Sequence, residues 1–492
     1  MRVLLVDPPH EIFKFFRGRM PAPSLTALSA YLEKDFEIKV LDCTVQGRPW
    51  AALEETVREF RPAVVGITAI STSYIYDAMN AAYLVKLIDP SIVTVGGGVH
   101  MSLMPEETFE KCPSLDYIVM GEGEVTLMEF LKAVEAGGKD YTSIPGLAFR
   151  SSGGVHIGER RELIPDLDSL PLPGYRHFPM KRYMMPSLGM ATHNSIVLTT
   201  ARGCEGVCNY CSEAKLWRST WRAKSAPRVL EEMEVLFKDF NKYSFMFGDD
   251  SFNWKRERVE EFIVELEKKR LPVHFWFQSR AEHIVRDADL LPRLKKLGLY
   301  MISMGVETPS EDALRNYRKK QTAGVSLEAM RLIKKNGLLL ITNIMFGDID
   351  DTEETLQQTI DFAKPYSDHF AICLTTPLPG TEYYRRAREQ GRIKVWDYSK
   401  YDMLNPVMET RTLSVEKLAE IHPAAIQKFY SRFRVFWDAF FSLNPYLRKN
   451  NRFFVKVAWE TIAHKPWVQK NYAPFEKYME EKTGKMFERI HM

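Results

Sequence analysis

Short apolar runs separated by amphipathic stretches organise the first 136 residues. Runs at 3–6, 38–41, 64–68, 93–95 and 117–120 read as strands; stretches at 25–33, 51–60, 75–88, 106–109 and 126–135 read as helices. Strands that alternate with helices predict a parallel, doubly wound sheet, because parallel neighbours need crossover connections. Ligands of such sheets bind beyond the carboxyl ends of the strands. Small residues gather at those ends: Ser71 and Thr72 after the third run, Gly96, Gly97, Gly98 and then His100 after the fourth, Gly121, Glu122 and Gly123 after the fifth. Glycine often merely terminates a strand, but three adjacent ends of this kind leave room for something large and flat.

The pattern breaks over 139–194. Runs at 146–150 and 155–158 flank Ser-Ser-Gly-Gly and suggest a hairpin, and the proline-rich stretch 164–174 reads as an extended connector. The methionines within 179–190 suit ordinary packing, or the border of a cavity. From 195 the alternation returns six times, with strands at 196–199, 244–247, 273–277, 300–306, 338–345 and 369–374. Six βα units predict an open partial barrel with its chemistry at the carboxyl ends of the strands. After Gly391 the alternation stops; Leu418, Ile421, Ala425, Phe429, Phe433, Phe436 and Phe440 keep helical spacing and predict one long amphipathic helix. The expected α/β fold therefore has a doubly wound parallel-sheet domain at 1–138, a linker at 139–194, a partial (β/α)6 barrel at 195–390 and a helical, aromatic-rich region at 391–492.

Composition narrows the function classes. The chain has 492 residues, 45% apolar and 27% charged, with a net charge of +3. This suits a globular protein of several domains and gives no electrostatic case for nucleic acid. No stretch approaches the ~20 apolar residues of a membrane span, and the N-terminus reads as a strand rather than a signal peptide. Six cysteines, half of them clustered, fit a reducing cytoplasm. Residues 427–472 add Trp437, Phe441, Tyr446, Phe453, Phe454, Trp459 and Trp467 among many basic residues. The simplest reading is a helical cap on the barrel; sharper ones are a pocket for a hydrophobic substrate or contact with a membrane surface.

The chemistry-bearing motif is Cys204-Glu-Gly-Val-Cys208-Asn-Tyr-Cys211, directly after the first barrel strand. Three thiolates can hold three irons of a cubane and leave the fourth without a protein ligand, whereas a wholly protein-held cluster needs four. Structural zinc would want a fourth Cys or His at short spacing, which the neighbourhood lacks; three unrelated thiols are the remaining alternative. The C-x-x-x-C-x-x-C loop resembles that of the radical S-adenosylmethionine enzymes. That resemblance implies a [4Fe-4S] cluster whose open iron is chelated by S-adenosylmethionine, which one-electron reduction cleaves to a 5′-deoxyadenosyl radical.

The resemblance continues along the barrel. Tyr210 is similar to the family's aromatic whose neighbouring backbone reads adenine. Gly248, Asp249 and Asp250 resemble the turn that receives the cofactor's amino group, and Arg280 the basic residue aimed at its carboxylate. Glu307, in Gly305-Val-Glu-Thr308, resembles the glutamate that faces ribose and methionine. The N-terminal glycines look like those of a cobalamin-binding domain, which implies cobalamin beside Ser71, Thr72, Gly96, Gly97, Gly98, His100, Gly121, Glu122 and Gly123. No Asp-x-His-x-x-Gly occurs, so the cobalt's lower axial position has no assigned ligand. Together these features imply a cobalamin-dependent radical methyltransferase that takes hydrogen from an unactivated carbon of a small or hydrophobic substrate. Its electrons would come from an external donor such as flavodoxin or ferredoxin. The chain also resembles the anaerobic magnesium-protoporphyrin monomethyl ester cyclase group, and a non-catalytic cobalamin or redox sensor is a third reading.

Overall fold

The computed structural model describes residues 1–10, 20–183, 194–462 and 474–483. Seven strands form the first sheet: β1 (Arg2–Asp7), β2 (Glu37–Asp42), β3 (Val64–Ala69), β4 (Val93–Gly98), β5 (Tyr117–Val119), β6 (Leu147–Ser151) and β7 (Gly154–Ile157). Their order is β2-β1-β3-β4-β5-β6-β7, parallel through β5, with the β6–β7 hairpin added antiparallel. Both faces are covered: Val3 and Leu5 pack toward the helices Pro23–Leu32 and Gly123–Glu135, Leu4 and Val6 toward Pro49–Phe60 and Ile75–Ile88. Burial on two faces is why these strands read as continuous apolar runs rather than alternating ones. Gly97 and Gly98 are the last rungs of β4, paired with Thr68 and Ala69, so the strand runs further than its apolar stretch.

The barrel begins with β8 (Ser195–Leu198). Next come two short strands, β9 (Ala201–Arg202) and β10 (Arg222–Ala223), which pair antiparallel and bracket the cysteine loop. Then follow β11 (Ser244–Phe247), β12 (His274–Ser279), β13 (Leu299–Glu307), β14 (Leu339–Phe346) and β15 (His369–Leu374). The order β15-β14-β13-β12-β11-β8 is parallel throughout and bears out the six-stranded partial barrel. Strand alternation sends Phe245, Phe247, Phe275, Phe277 and Ile302 outward to the helices, and Val197, Trp276, Met301, Leu339 and Ile341 inward. Phe247 lies 4.9 Å from Phe252, 5.7 Å from Phe262 and 5.4 Å from Phe275. Each such pair adds about 0.5–1.5 kcal/mol to burial and anchors β11 just before Gly248. The amino-terminal end of the barrel is plugged by Tyr446 and Leu447; Tyr446 stacks on Tyr300 at 4.6 Å and its hydroxyl lies 3.1 Å from His274 Nδ1.

The C-terminal region departs from the expectation of one long helix. The chain breaks after the helix Val415–Phe429, and Ser431 caps a new helix, Arg432–Phe441, by accepting from the Arg434 N–H at 3.3 Å. A serine side chain that satisfies an N-terminal amide favours the break over continuation. Leu418 and Phe429 are buried, whereas Phe433, Phe436 and Phe440 are exposed, so the spaced apolar positions do not share one buried face. Part of 179–190 (residues 184–190) and Trp467 lie outside the described residues.

Candidate active site

The cysteine loop is shaped by glycine at two points. Gly203 has φ +81°, and a Cβ there would sit 2.2 Å from Thr220 O; at Gly206 a Cβ would sit 3.1 Å from Cys204 Sγ and 3.9 Å from Cys208 Sγ. The Gly206 N–H donates to Cys204 Sγ at 3.3 Å. Between the second and third cysteines the backbone is pinned: Asn209 N donates to Tyr317 O at 3.2 Å and Asn209 O accepts from Tyr383 N at 3.1 Å. None of the three thiols is in a disulfide. Burial pushes the Cys211 thiol up to about 12 and raises that of Cys204, so metal loading would have to displace protons. Among the described residues no three Cys, His, Asp or Glu side chains converge on a single metal-ion position. A cubane asks for something else, three thiolates that each reach their own iron. The glycine cradle and the three unbridged thiols fit that demand.

Around the barrel rim the expected residues divide into two groups. Arg280 lies beside the cysteine loop, its Nη1 3.3 Å from where a Cβ at Gly206 would be, and it pairs with Glu282. Tyr210 is half-buried with its hydroxyl 3.5 Å from Glu307 Oε1. Glu307 stands at φ +61°, beside a shift of register between Gly305 and Glu307 in the β13–β14 pairing. It forms an ion pair with Lys319, whose ammonium also donates to Gly305 O at 3.1 Å. A Cβ at Gly305 would lie 2.5 Å from the glutamate and 2.7 Å from the lysine, so a larger residue there would displace the ion pair. Asp250, two residues after Gly248, has an exposed surface but a carboxyl crowded by protein; desolvation of that carboxyl, then Glu213 and Asp249, push it up to about 7.

The Asp249 side chain is taken up by the protein itself. Its carboxylate accepts from Thr200 N at 2.6 Å, Ala201 N at 2.8 Å and the Thr200 hydroxyl, and it is 1% exposed. It ties β11 to the crossing that leads into the cysteine loop, which leaves Asp250 as the carboxylate of that turn open to a ligand.

The first sheet divides likewise. Ser71, Gly97, Gly98 and Gly121 lie at neighbouring strand ends. Gly121 (φ +78°) has nothing within 4 Å of a hypothetical Cβ, and Gly97 only Val119 O at 3.5 Å. This open backbone surface fits a flat ligand. Gly98 has φ +115°, and a Cβ there would strike Ala69 O at 2.0 Å, so glycine is required by the neighbouring strand. Gly123 starts a helix against Leu28. Gly96 instead makes room for Met101, whose sulfur would be 2.4 Å from a Cβ. His100 is buried: Nδ1 lies 3.3 Å from the Thr72 hydroxyl and the ring meets Tyr398 edge-on at 5.0 Å. Burial lowers its pKa to about 3, and Nε2 has no partner among the described residues. His100 and Thr72 therefore pack beneath the returning segment around Tyr398 rather than on the open surface.

Glu122 joins the two halves. It accepts from Arg202 Nη1 at 2.6 Å, Arg222 Nη1 at 2.9 Å and Ile164 N at 2.7 Å, while Glu124 accepts from Arg202 Nη2 at 2.5 Å. Arg202 stands two residues before Cys204, so the glycine turn after β5 is ion-paired directly to the root of the cysteine loop. The helix Val99–Leu103 also packs on Ser212–Leu216, the helix that follows Cys211. Near this junction lies a cavity of about 230 Å3 lined by Gly121, Gly123, Arg202 and Trp217, and by Val197 and Thr199 at the first barrel strand. Arg202, Arg222 and Lys319 escaped the sequence reading. Lys319 sits in the charge run Arg318-Lys-Lys320, which looks like solvated surface, whereas the position of Arg202 beside the cysteine loop was a usable signal.

Comparison with known proteins agrees with this two-part site. Residues 14–131 match the B12 binding domain and residues 198–363 the Radical SAM superfamily. The chain is 30% identical to the anaerobic magnesium-protoporphyrin IX monomethyl ester cyclase of Cereibacter sphaeroides, over 89% of this chain and 71% of that one. It is 28% identical to an uncharacterized methyltransferase of Pyrococcus horikoshii, over 91% and 96%. The fold is shared with the radical S-adenosylmethionine methyltransferase TsrM of Kitasatospora setae, solved with cobalamin and a [4Fe-4S] cluster (TM-score 0.70, 18% identity, 94% of this chain and 100% of that one). The chain belongs to the cobalamin-dependent radical S-adenosylmethionine enzymes. Its cofactors are accordingly a [4Fe-4S] cluster, S-adenosylmethionine and cobalamin.

Proposed function

We propose that the enzyme methylates an unactivated carbon of a small, largely apolar molecule held between the two sheets. The observation that carries this reading is the ion-paired junction of Glu122 and Glu124 with Arg202, which sets the cobalamin-side turn against the cysteine loop beside one cavity. When bound, the cluster and S-adenosylmethionine supply a hydrogen-abstracting radical, and cobalamin supplies a methyl group. Cys204, Cys208 and Cys211 would hold the cluster. Asp250 and Arg280 have the charges to orient the ammonium and carboxylate of S-adenosylmethionine, and Tyr210 with the Glu307–Lys319 pair would face the rest of it.

Below them the barrel interior is apolar, with Trp276, Met301 and Ile341. A polar belt lies above this floor, where Asn343 Nδ2 donates to Ser303 Oγ at 2.9 Å and Gln278 stands on the inward side of β12. Such a lining would exclude water and orient a neutral polar group of the substrate. Hydrogen-atom abstraction needs no protein base, and the electrons would come from an external one-electron donor.

A second reading, oxidative ring closure, is favoured by the cyclase relative. Methyl transfer produces S-adenosylhomocysteine, and cyclisation need not. The assignment of the cluster is tested by the triple variant C204A/C208A/C211A. Its expected outcome is loss of 5′-deoxyadenosine formation with cobalamin binding retained in the absorption spectrum. Continued cleavage would contradict the assignment.

A further inference from the structure

The helix Arg432–Phe441 turns its polar side inward and its apolar side out. Ala439 is fully buried. Arg434, on the inner side, lies over the Phe429 ring at 4.2 Å, donates to Ser367 O at 2.9 Å and sits 3.7 Å from Asp438. Phe433, Phe436, Trp437, Phe440 and Phe441 occupy the other side at i, i+3, i+4, i+7 and i+8, with exposures of 76, 53, 53, 46 and 57%. Leu443, just past the helix, is 95% exposed. The rings contact one another, Phe433 stacked on Trp437 at 6.2 Å, and Phe436–Phe440 and Trp437–Phe441 tilted, each at 4.8 Å. A helix on a water-exposed surface normally shows the reverse arrangement, and a contiguous apolar patch of this kind marks a docking face.

We infer that this face docks on an anionic membrane surface. Residues 432–456 hold six Lys or Arg and a single acid, Asp438, which the contact with Arg434 offsets. Arg452, on the adjoining helix Pro445–Ile462, places its guanidinium 5.8 Å from the Phe440 ring and donates to Ala439 O at 2.9 Å. Exposed Phe and Trp beside basic side chains suit the boundary between acyl chains and phosphate headgroups. A second copy of the chain would bring the same positive charge against itself, which disfavours self-docking. Among the described residues no helix is long and apolar enough to cross a membrane, so the contact is with a surface.

The test uses the full chain and flotation with vesicles of phosphatidylcholine alone or mixed equally with phosphatidylglycerol. The wild type is expected to float with the anionic vesicles, and F433S/W437S/F441S to bind them about tenfold or more weakly. The substituted side chains are exposed, so cobalamin and iron content should be unchanged and will report retained folding. Brominated lipid should quench part of the tryptophan emission, and W437F should lose that part. Three results would overturn the proposal: no binding to anionic vesicles, equal binding by the triple variant, or a wild-type dimer that the triple variant converts to monomer. The last would assign the face to a second copy.

Discussion

Asp249 and Asp250 are neighbours in different settings, and substitution separates them. Asp249 accepts two backbone N–H groups and a hydroxyl in a buried setting, so Asp249→Asn should cost about 1.5–3 kcal/mol, read as a fall in Tm. Asp250→Asn should leave Tm unchanged and weaken S-adenosylmethionine binding, read by equilibrium dialysis. Because the Asp250 carboxyl is pushed up to about 7, the carboxylate forms as pH rises through that value. Affinity for the cationic cofactor should therefore climb from about pH 6 to about pH 8 in the wild type and stay flat in D250N. Adjacency in sequence could not distinguish the two residues, since their roles are set by Thr200, 49 residues earlier than Asp249. His100 illustrates the same limit, because Tyr398 comes from 298 positions further on in sequence to lie against its ring.

Between elements, the junction of Arg202 with Glu122 and Glu124 holds the glycine turn after β5 in register with the cysteine loop. Arg202→Ala leaves the buried Glu124 without that cation, a loss of about 3–5 kcal/mol for a buried pair; Arg202→Lys keeps the charge and gives up one arm of the fork. R202K is expected to load iron and cobalamin normally and to cleave S-adenosylmethionine at near the wild-type rate. It should lose about tenfold or more of S-adenosylhomocysteine formation, because misplacement by about 1 Å between reacting groups can cost that much or more. Equal loss of both products would place Arg202 in the cysteine loop's own integrity instead. At this scale the sequence was largely readable. The apolar runs of both sheets recur as β1 to β5 and as the six barrel strands, because period and punctuation are local. The break at Ser431 was not readable: Phe429 and Phe433 keep helical spacing across it, and one capping hydroxyl decides the matter.

Over the whole molecule, the two sheets present their carboxyl ends toward a common junction. The turn after β15 seals it, where a Cβ at Gly380 would lie 2.7 Å from Leu103 Cβ of the first domain. Tyr398 strengthens the seal with its N–H on the Tyr76 hydroxyl at 3.2 Å and its own hydroxyl on Glu107 at 2.8 Å. The family motifs made both domains legible, but the contacts that bring them together come from unmotivated charges and from chain far downstream. The central claim is that the two halves joined at this junction act together in methyl transfer. The most direct measurement is anaerobic. The iron- and cobalamin-loaded protein is given reductant and S-adenosylmethionine, and 5′-deoxyadenosine and S-adenosylhomocysteine are quantified by mass spectrometry with and without cobalamin. The account predicts both products, with S-adenosylhomocysteine dependent on cobalamin. 5′-Deoxyadenosine alone, unchanged by cobalamin, would contradict it.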